Sequence, residues 1–248
     1  MGHHEFVIQV CHLNSWNVKT TLLILSIDTS GRNGSLALAR GEGHSFELLE
    51  LVPLEGGQYS AALIPALAGA LECHRLTKDD IEAFCVASGP GSFTGLRVGL
   101  ATVKGLAEIV QRPIAAVSVL EALASSADHP GRVITALDAG RREVYSGEYE
   151  VQRDAHQATC IGESLLKYDE FHKLVDANPA AQLITADQQI PDLVPAHIRA
   201  KVVERPQADL IARIGLCKIQ RGETTPGEAL EANYIRRSDA EIFAKPDA

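Results

Sequence analysis

The sequence predicts an α/β protein built as two related lobes. Two observations carry this: a run of strands gives way to helical periodicity, and a similar opening recurs about midway along the chain. The composition agrees, since 46% hydrophobic and 22% charged residues describe an ordinary globular chain. A length of 248 residues buries a good core in one large domain or two lobes.

From Leu22, LLILSIDTS reads as a buried strand, GRNG as a turn with the Asn-Gly signal, and SLALA as a second strand. SFELLELVPL adds a third. The period then changes, because YSAALIPALAGALECHRL spaces its apolar residues as a helix does, with Pro65 marking a kink or restart. Thr77 and Asp80 have capping-box spacing ahead of the strand IEAFCVASG, and a helix follows the glycines from about Thr94 to Val110. The second opening is VITALDAGRREVYSGEYEV, from Val133 to Val151, which again reads strand, Asp, tight turn, strand; Asp138 stands where Asp28 stood. PIAAVS and VLEALASSA lie between the halves, while ESLLKYDEFHKLV and QLITA follow, and a last helix from Ala208 to Gln220 is expected to cross back to the first lobe. The expected divisions are an extension over 1–20, a first lobe over 21–110, a second over 111–205, and a C-terminal helix and tail over 206–248 packed on the first lobe. The extension lacks the basic start and long apolar stretch of a secretory signal.

A formal net charge of −9 does not suit a chain that grips a phosphate backbone over its whole surface. Five scattered cysteines with no CxxC predict a reducing compartment, the cytoplasm, rather than a disulfide framework. No apolar run approaches membrane-spanning length.

SGPGSFTGLRVG, Ser88 to Gly99, is the densest motif. It is not a Walker loop, because no Lys-Ser/Thr pair follows the glycines. Nor is it a dinucleotide fingerprint, because Gly89, Gly91 and Gly95 are spaced one residue too widely. What remains is a tight strand-to-helix corner, capped by Ser92 or Thr94, that either only turns the chain or also holds an anion at the helix start. The candidate anion or nucleotide contacts are Asp28, Ser30, Gly91, Ser92 and Thr94. On the helix, Leu96, Leu100, Val103 and Ala107 line one face for the lobe's own sheet. Gly95, Gly99, Thr102 and Leu106 line a second, mostly small face that a helix of the same chain or of a partner could approach closely. Glycine inside a helix costs about 0.5–1 kcal/mol relative to alanine, so such a face calls for compensation.

No two histidines outside the extension have the i,i+4 spacing of helical metal ligands, and no metal site is predicted. Asp28 and Asp138 either bond turn amides or orient a Mg²⁺-bound phosphate. Ser30, Ser88 and Ser92 lack a His/Asp arrangement, and no catalytic residue is assigned. Arg97, Arg141, Arg142, Arg236 and Arg237 are candidate basic contacts.

SIDTS at 26–30, SGPGSFTGLRVGLATVKGLA at 88–107, LDAGRREVY at 137–145 and ANYIRR at 232–237 resemble, in matching order, the bacterial TsaB (YeaZ) family. The resemblance spans Leu22 to Arg237. It implies the two-lobed actin/Hsp70/sugar-kinase (ASKHA, RNase H-like) fold with duplicated βββαβα lobes. It further implies a non-catalytic paralogue of TsaD that joins TsaD and the ATPase TsaE in forming N6-threonylcarbamoyladenosine in tRNAs reading codons that begin with A. TsaD holds its metal with a His-x-x-x-His pair plus an aspartate, and this sequence contains no such pair. The implied partner interface lies on the helix after the glycines, at Gly95, Leu96, Gly99, Thr102, Val103 and Leu106, and serves a homodimer when TsaD is missing. The chain is expected to carry no cofactor of its own, ATP or ADP and Mg²⁺ belonging to the assembled complex, and to meet tRNA only through that complex. The rival expectation is an ATP-dependent phosphotransferase or ATPase of the same superfamily.

Overall fold

The computed structural model describes residues 21–152, 158–233 and 235. In the first lobe, β1 (Leu22–Asp28), β2 (Gly34–Glu42) and β3 (Ser45–Leu54) form an antiparallel meander. The helix α1 (Tyr59–Cys73) crosses to β4 (Ala83–Gly89), parallel to β1, and α2 (Phe93–Val110) crosses to β5 (Ile114–Ser118), parallel to β4. The order is β3-β2-β1-β4-β5, so β5 belongs to the first sheet although it lies past residue 110, where the sequence reading divides the lobes. Its five residues, IAAVS, are too few for a period, and the pairing with β4 places them.

A short bridging helix, α3 (Val119–Ala124), leads to the second lobe. There β6 (Gly131–Gly140), β7 (Glu143–Val151) and β8 (Ala158–Lys167) repeat the meander. α4 (Tyr168–Asp176) then connects to β9 (Gln182–Thr185), parallel to β6, and β10 (Ala200–Val202) pairs parallel with β9. The order β8-β7-β6-β9-β10 reproduces the first sheet strand for strand, which is the duplication announced by Asp28 and Asp138. α5 (Ala208–Gln220) returns from the second lobe to lie on β1, β2, β4 and β5.

Burial explains these elements. β1 and β4 are covered on both faces and therefore read as near-continuous apolar runs, LLILSID and AFCVASG. Leu63, Leu67 and Leu71 of α1, with Leu96, Leu100, Val103 and Ala107 of α2, pack on one face of the first sheet. α3 and α5 fill the space between the first sheet and the second, and α4 covers the far side of the second. α1 runs as one helix through Pro65, without the restart that the sequence allows there, and Leu63 and Leu67 anchor it in the core on either side. Thr77 donates both its backbone N–H and its hydroxyl to Asp80, at 2.7 and 2.8 Å, so the expected box closes a single 3₁₀ turn (Lys78–Asp80) before β4.

Candidate functional site: the cleft between the lobes

The two strand-end aspartates do the same local work. Asp28 Oδ1 accepts from the Ser30 N–H at 2.8 Å, and Asp138 Oδ1 accepts from the Gly140 N–H at 3.1 Å, so each carboxylate pins the turn two residues ahead. Their surroundings differ. Asp28 is 3% exposed, and this burial raises its pKa, against the opposing pull of the Ser30 hydroxyl and amide and the Arg205 charge. Asp138 is half-buried, and its own N–H donates to Asp187 Oδ2 at 2.7 Å.

The glycine-rich corner meets the first of these turns directly. Gly89 adopts φ +116°, a region that favours glycine, and the Ser92 N–H donates to the Ser30 carbonyl at 2.7 Å. A Cβ on Gly91 would lie 2.2 Å from that same carbonyl oxygen, which explains the glycine there. Ser92, rather than Thr94, caps α2: its Oγ accepts from the Gly95 N–H at 3.3 Å.

Ser30, Gly91, Ser92 and Thr94 line a cleft of about 1050 Å³ between the lobes, and Asp28 sits buried behind Ser30. The second lobe contributes Leu137, Asp138, Ala139 and Tyr145 to the opposite wall. Residues the sequence reading did not single out complete it: Arg32, Glu55, Tyr59 and Arg205. Tyr59 OH lies 2.9 Å from the Gly31 carbonyl and 3.0 Å from that of Arg32, tying α1 to the turn after β1, and burial raises its pKa. Arg205 just precedes α5 and reaches the turn from far along the chain; no spacing in the sequence could have flagged it.

Two donors at this wall are poorly satisfied. The Ser30 hydroxyl is close enough to Asp28 to favour its charge, yet it makes no hydrogen bond of good geometry, and the buried Nε of Arg205 has no partner. A buried donor without an acceptor commonly costs about 1–3 kcal/mol. Among the described residues, no three His, Cys, Asp or Glu side chains gather as a metal site requires.

α2 corrects the expected interface. Leu96 and Val103 are 2% and 0% exposed and belong to the core under the first sheet. Gly95 and Gly99 are buried against Thr29, whose hydroxyl donates to the Gly95 carbonyl at 2.7 Å. A Cβ on Gly95 would lie 2.1 Å from the Thr29 carbonyl oxygen, and one on Gly99 2.4 Å from Thr29 Oγ1. The close approach that these glycines allow is therefore made inside the chain. Of the six expected interface residues only Thr102 and Leu106 keep partial exposure.

The basic candidates are not gathered in the cleft. Arg97 stacks over the Phe93 ring on α2, 3.8 Å from its centre, while Arg141 and Arg142 form the β6–β7 turn with φ +56° and +60°. None of the three lines the cleft. Arg236 and Arg237 fall outside the described residues, as does the extension over 1–20.

Known proteins resemble this chain over nearly its whole length. A family model described as TsaD, tRNA N6-adenosine threonylcarbamoyltransferase, matches residues 53–199. The tRNA threonylcarbamoyladenosine biosynthesis protein TsaB of Escherichia coli (strain K12) is 30% identical over 225 residues, covering 88% of this chain and 96% of that protein. TsaB of Bacillus subtilis (strain 168) is 28% identical over 228 residues, covering 89% and 96%. The solved structure of YeaZ from Pseudomonas aeruginosa overlays with a TM-score of 0.70 at 25% identity, covering 86% of this chain and 99% of that one. A second Pseudomonas aeruginosa structure, described as similar to peptidase YeaZ, gives 0.72 at 27% identity, covering 87% and 100%.

Proposed function

The chain belongs to the TsaB (YeaZ) family, whose named members are tRNA threonylcarbamoyladenosine biosynthesis proteins, and on that premise we propose that it acts as the non-catalytic partner of a TsaD-like threonylcarbamoyltransferase. It would bind and support that subunit, with a TsaE-like ATPase and tRNA meeting the assembled complex. A charge of −9 makes independent capture of tRNA by phosphate attraction a poor fit.

The observation that carries this reading is the outer face of α1 and α2. Ile64 and Ile109 are 52% and 67% exposed, and Pro65, Ala68 and Ala101 are exposed with them. Gly69 and Gly105 sit on the same helices, and a Cβ on either would meet nothing within 4 Å. Their conformational cost has no compensation within the chain, unlike that of Gly95 and Gly99. A partner helix packing on this face would supply it, and a TsaD-like subunit is the expected partner, since the TsaD family model matches residues 53–199, which include α1 and α2. A second copy of this chain is the homodimeric substitute when that subunit is missing.

Reconstitution tests the reading. With TsaD, TsaE, tRNA and threonylcarbamoyl-adenylate, modification should require this chain, and the isolated chain should transfer nothing. Ile109→Glu should weaken association with TsaD by at least about tenfold while leaving the chain folded, because a charge would be buried in the new interface. Unchanged affinity refutes the face, and robust transfer by the isolated chain refutes the non-catalytic role.

A second reading attaches to the cleft, where the Ser30 hydroxyl and Arg205 Nε favour an oxyanion such as the phosphate of ADP or ATP. Bound there with Mg²⁺, a nucleotide would serve either the assembled complex or a phosphotransferase activity. ADP titrated by calorimetry should bind the wild-type chain and lose affinity on Arg205→Gln. No binding at millimolar ADP, alone or with TsaD, removes this reading, and Mg²⁺-dependent ATP turnover by the chain alone would favour the phosphotransferase.

A further inference from the structure

After α5 the chain makes a 3₁₀ turn (Gly227–Ala229) and runs back toward the seam between the lobes. Leu230 is 5% exposed within the first-lobe core, and Ala232 packs on the same cluster. Asn233 then reaches two places at once. Its backbone N–H donates to the Ser88 carbonyl of the first lobe at 2.7 Å, and its Nδ2 donates to Glu163 Oε2 of the second lobe at 2.5 Å.

Glu163, on β8, is the meeting point of three parts of the molecule. Its Oε1 accepts from Ser118 Oγ at 2.5 Å, at the end of the first sheet, and from the hydroxyl of Tyr149, on β7 of the second. Its other oxygen takes Asn233. The carboxylate is thus held by three neutral donors, each from a different segment. The Nδ2 bond ties the C-terminal segment to the second lobe, while the backbone bond ties it to the first. Asn233 also abuts the strand end that leads into the cleft: a Cβ on Gly89, next to the cleft-lining Pro90, would lie 3.3 Å from the Asn233 carbonyl oxygen.

We propose that residues 230–233 act as a strap across the seam, with Asn233 and Glu163 as its clasp, so that a segment C-terminal to both lobes sets their relative angle and the width of the cleft. The strap also fixes Ser88 and Gly89, from which the cleft wall and α2 depart. This rests on the two-lobed fold and stands whether or not the α1–α2 face binds TsaD.

Hydrogen exchange and small-angle scattering on the full-length chain, without partner, test it. Asn233→Asp sets a second carboxylate against Glu163 and should release the strap. The amides of 230–233, including the one bonded to Ser88, should then exchange at least about tenfold faster, and scattering should show altered lobe separation. Amides of β1 and α5 should keep their wild-type rates. Asn233→Gln, which retains the amide donor on a longer arm, should restore part of the protection. Unchanged exchange at 230–233 overturns the strap, and unchanged scattering overturns its hold on the lobes. Equal acceleration in every element also overturns it, because the residue would then serve overall stability alone.

Discussion

Asp28 shows how one buried carboxyl shapes stability. Its carboxyl is buried, and burial raises its pKa above the ordinary carboxylate range, so the folded chain keeps a proton that the unfolded chain has released. Stability attributable to this group is therefore lost as pH rises from the unfolded-state pKa through the raised native one. Asp28→Asn should remove that loss, because its side-chain oxygen can still accept from the Ser30 N–H. Denaturant midpoints measured across the acid range should show the variant gaining on wild type as pH rises and matching it at the acid end. A pH-independent difference would show that the charge is not the cause. The turn role of Asp28 was one of two readings the sequence offered, beside orienting a Mg²⁺-bound phosphate, since Asp at a strand end before Thr-Ser-Gly is a local signal. The Arg205 charge beside it was not disclosed, because that residue comes from far along the chain.

At the scale of an element, α2 separates two kinds of glycine that look alike in sequence. Gly99 faces Thr29 and has no room, whereas Gly105 faces open space. Gly99→Val should destabilise the isolated chain by about 1–3 kcal/mol through overpacking. Gly105→Ala should stabilise it by about 0.5–1 kcal/mol through helix propensity. Thermal melts of the two variants should move in opposite directions, and a shared direction would show that the two faces are assigned wrongly. Spacing alone revealed that α2 has a small face but not what covers it. The cover is Thr29, bonded to Gly95 across 66 residues of chain, and this is why an interface with another subunit could be read where the chain packs on itself. The core stripe of Leu96, Leu100, Val103 and Ala107 was legible because apolar side chains at helical spacing have few other uses.

For the whole molecule, duplication was the most readable feature, since the strand–Asp–turn–strand unit recurs intact and each sheet keeps the same order and sense. The seam was the least readable. Arg205 in the cleft and the grouping of Ser118, Tyr149, Glu163 and Asn233 are assembled from segments with no common motif, so only the folded chain brings them together. The return of α5 has a further consequence, for the order of events during synthesis. The Ala208 N–H donates to Ser35 Oγ at 2.8 Å, across 173 residues, and α5 covers one face of the first sheet. The lobe made first on the ribosome thus cannot be finished until nearly all of the second has emerged. Its uncovered face must wait through that interval, exposed to water and to chaperones, so the half that begins the chain is the last to be completed.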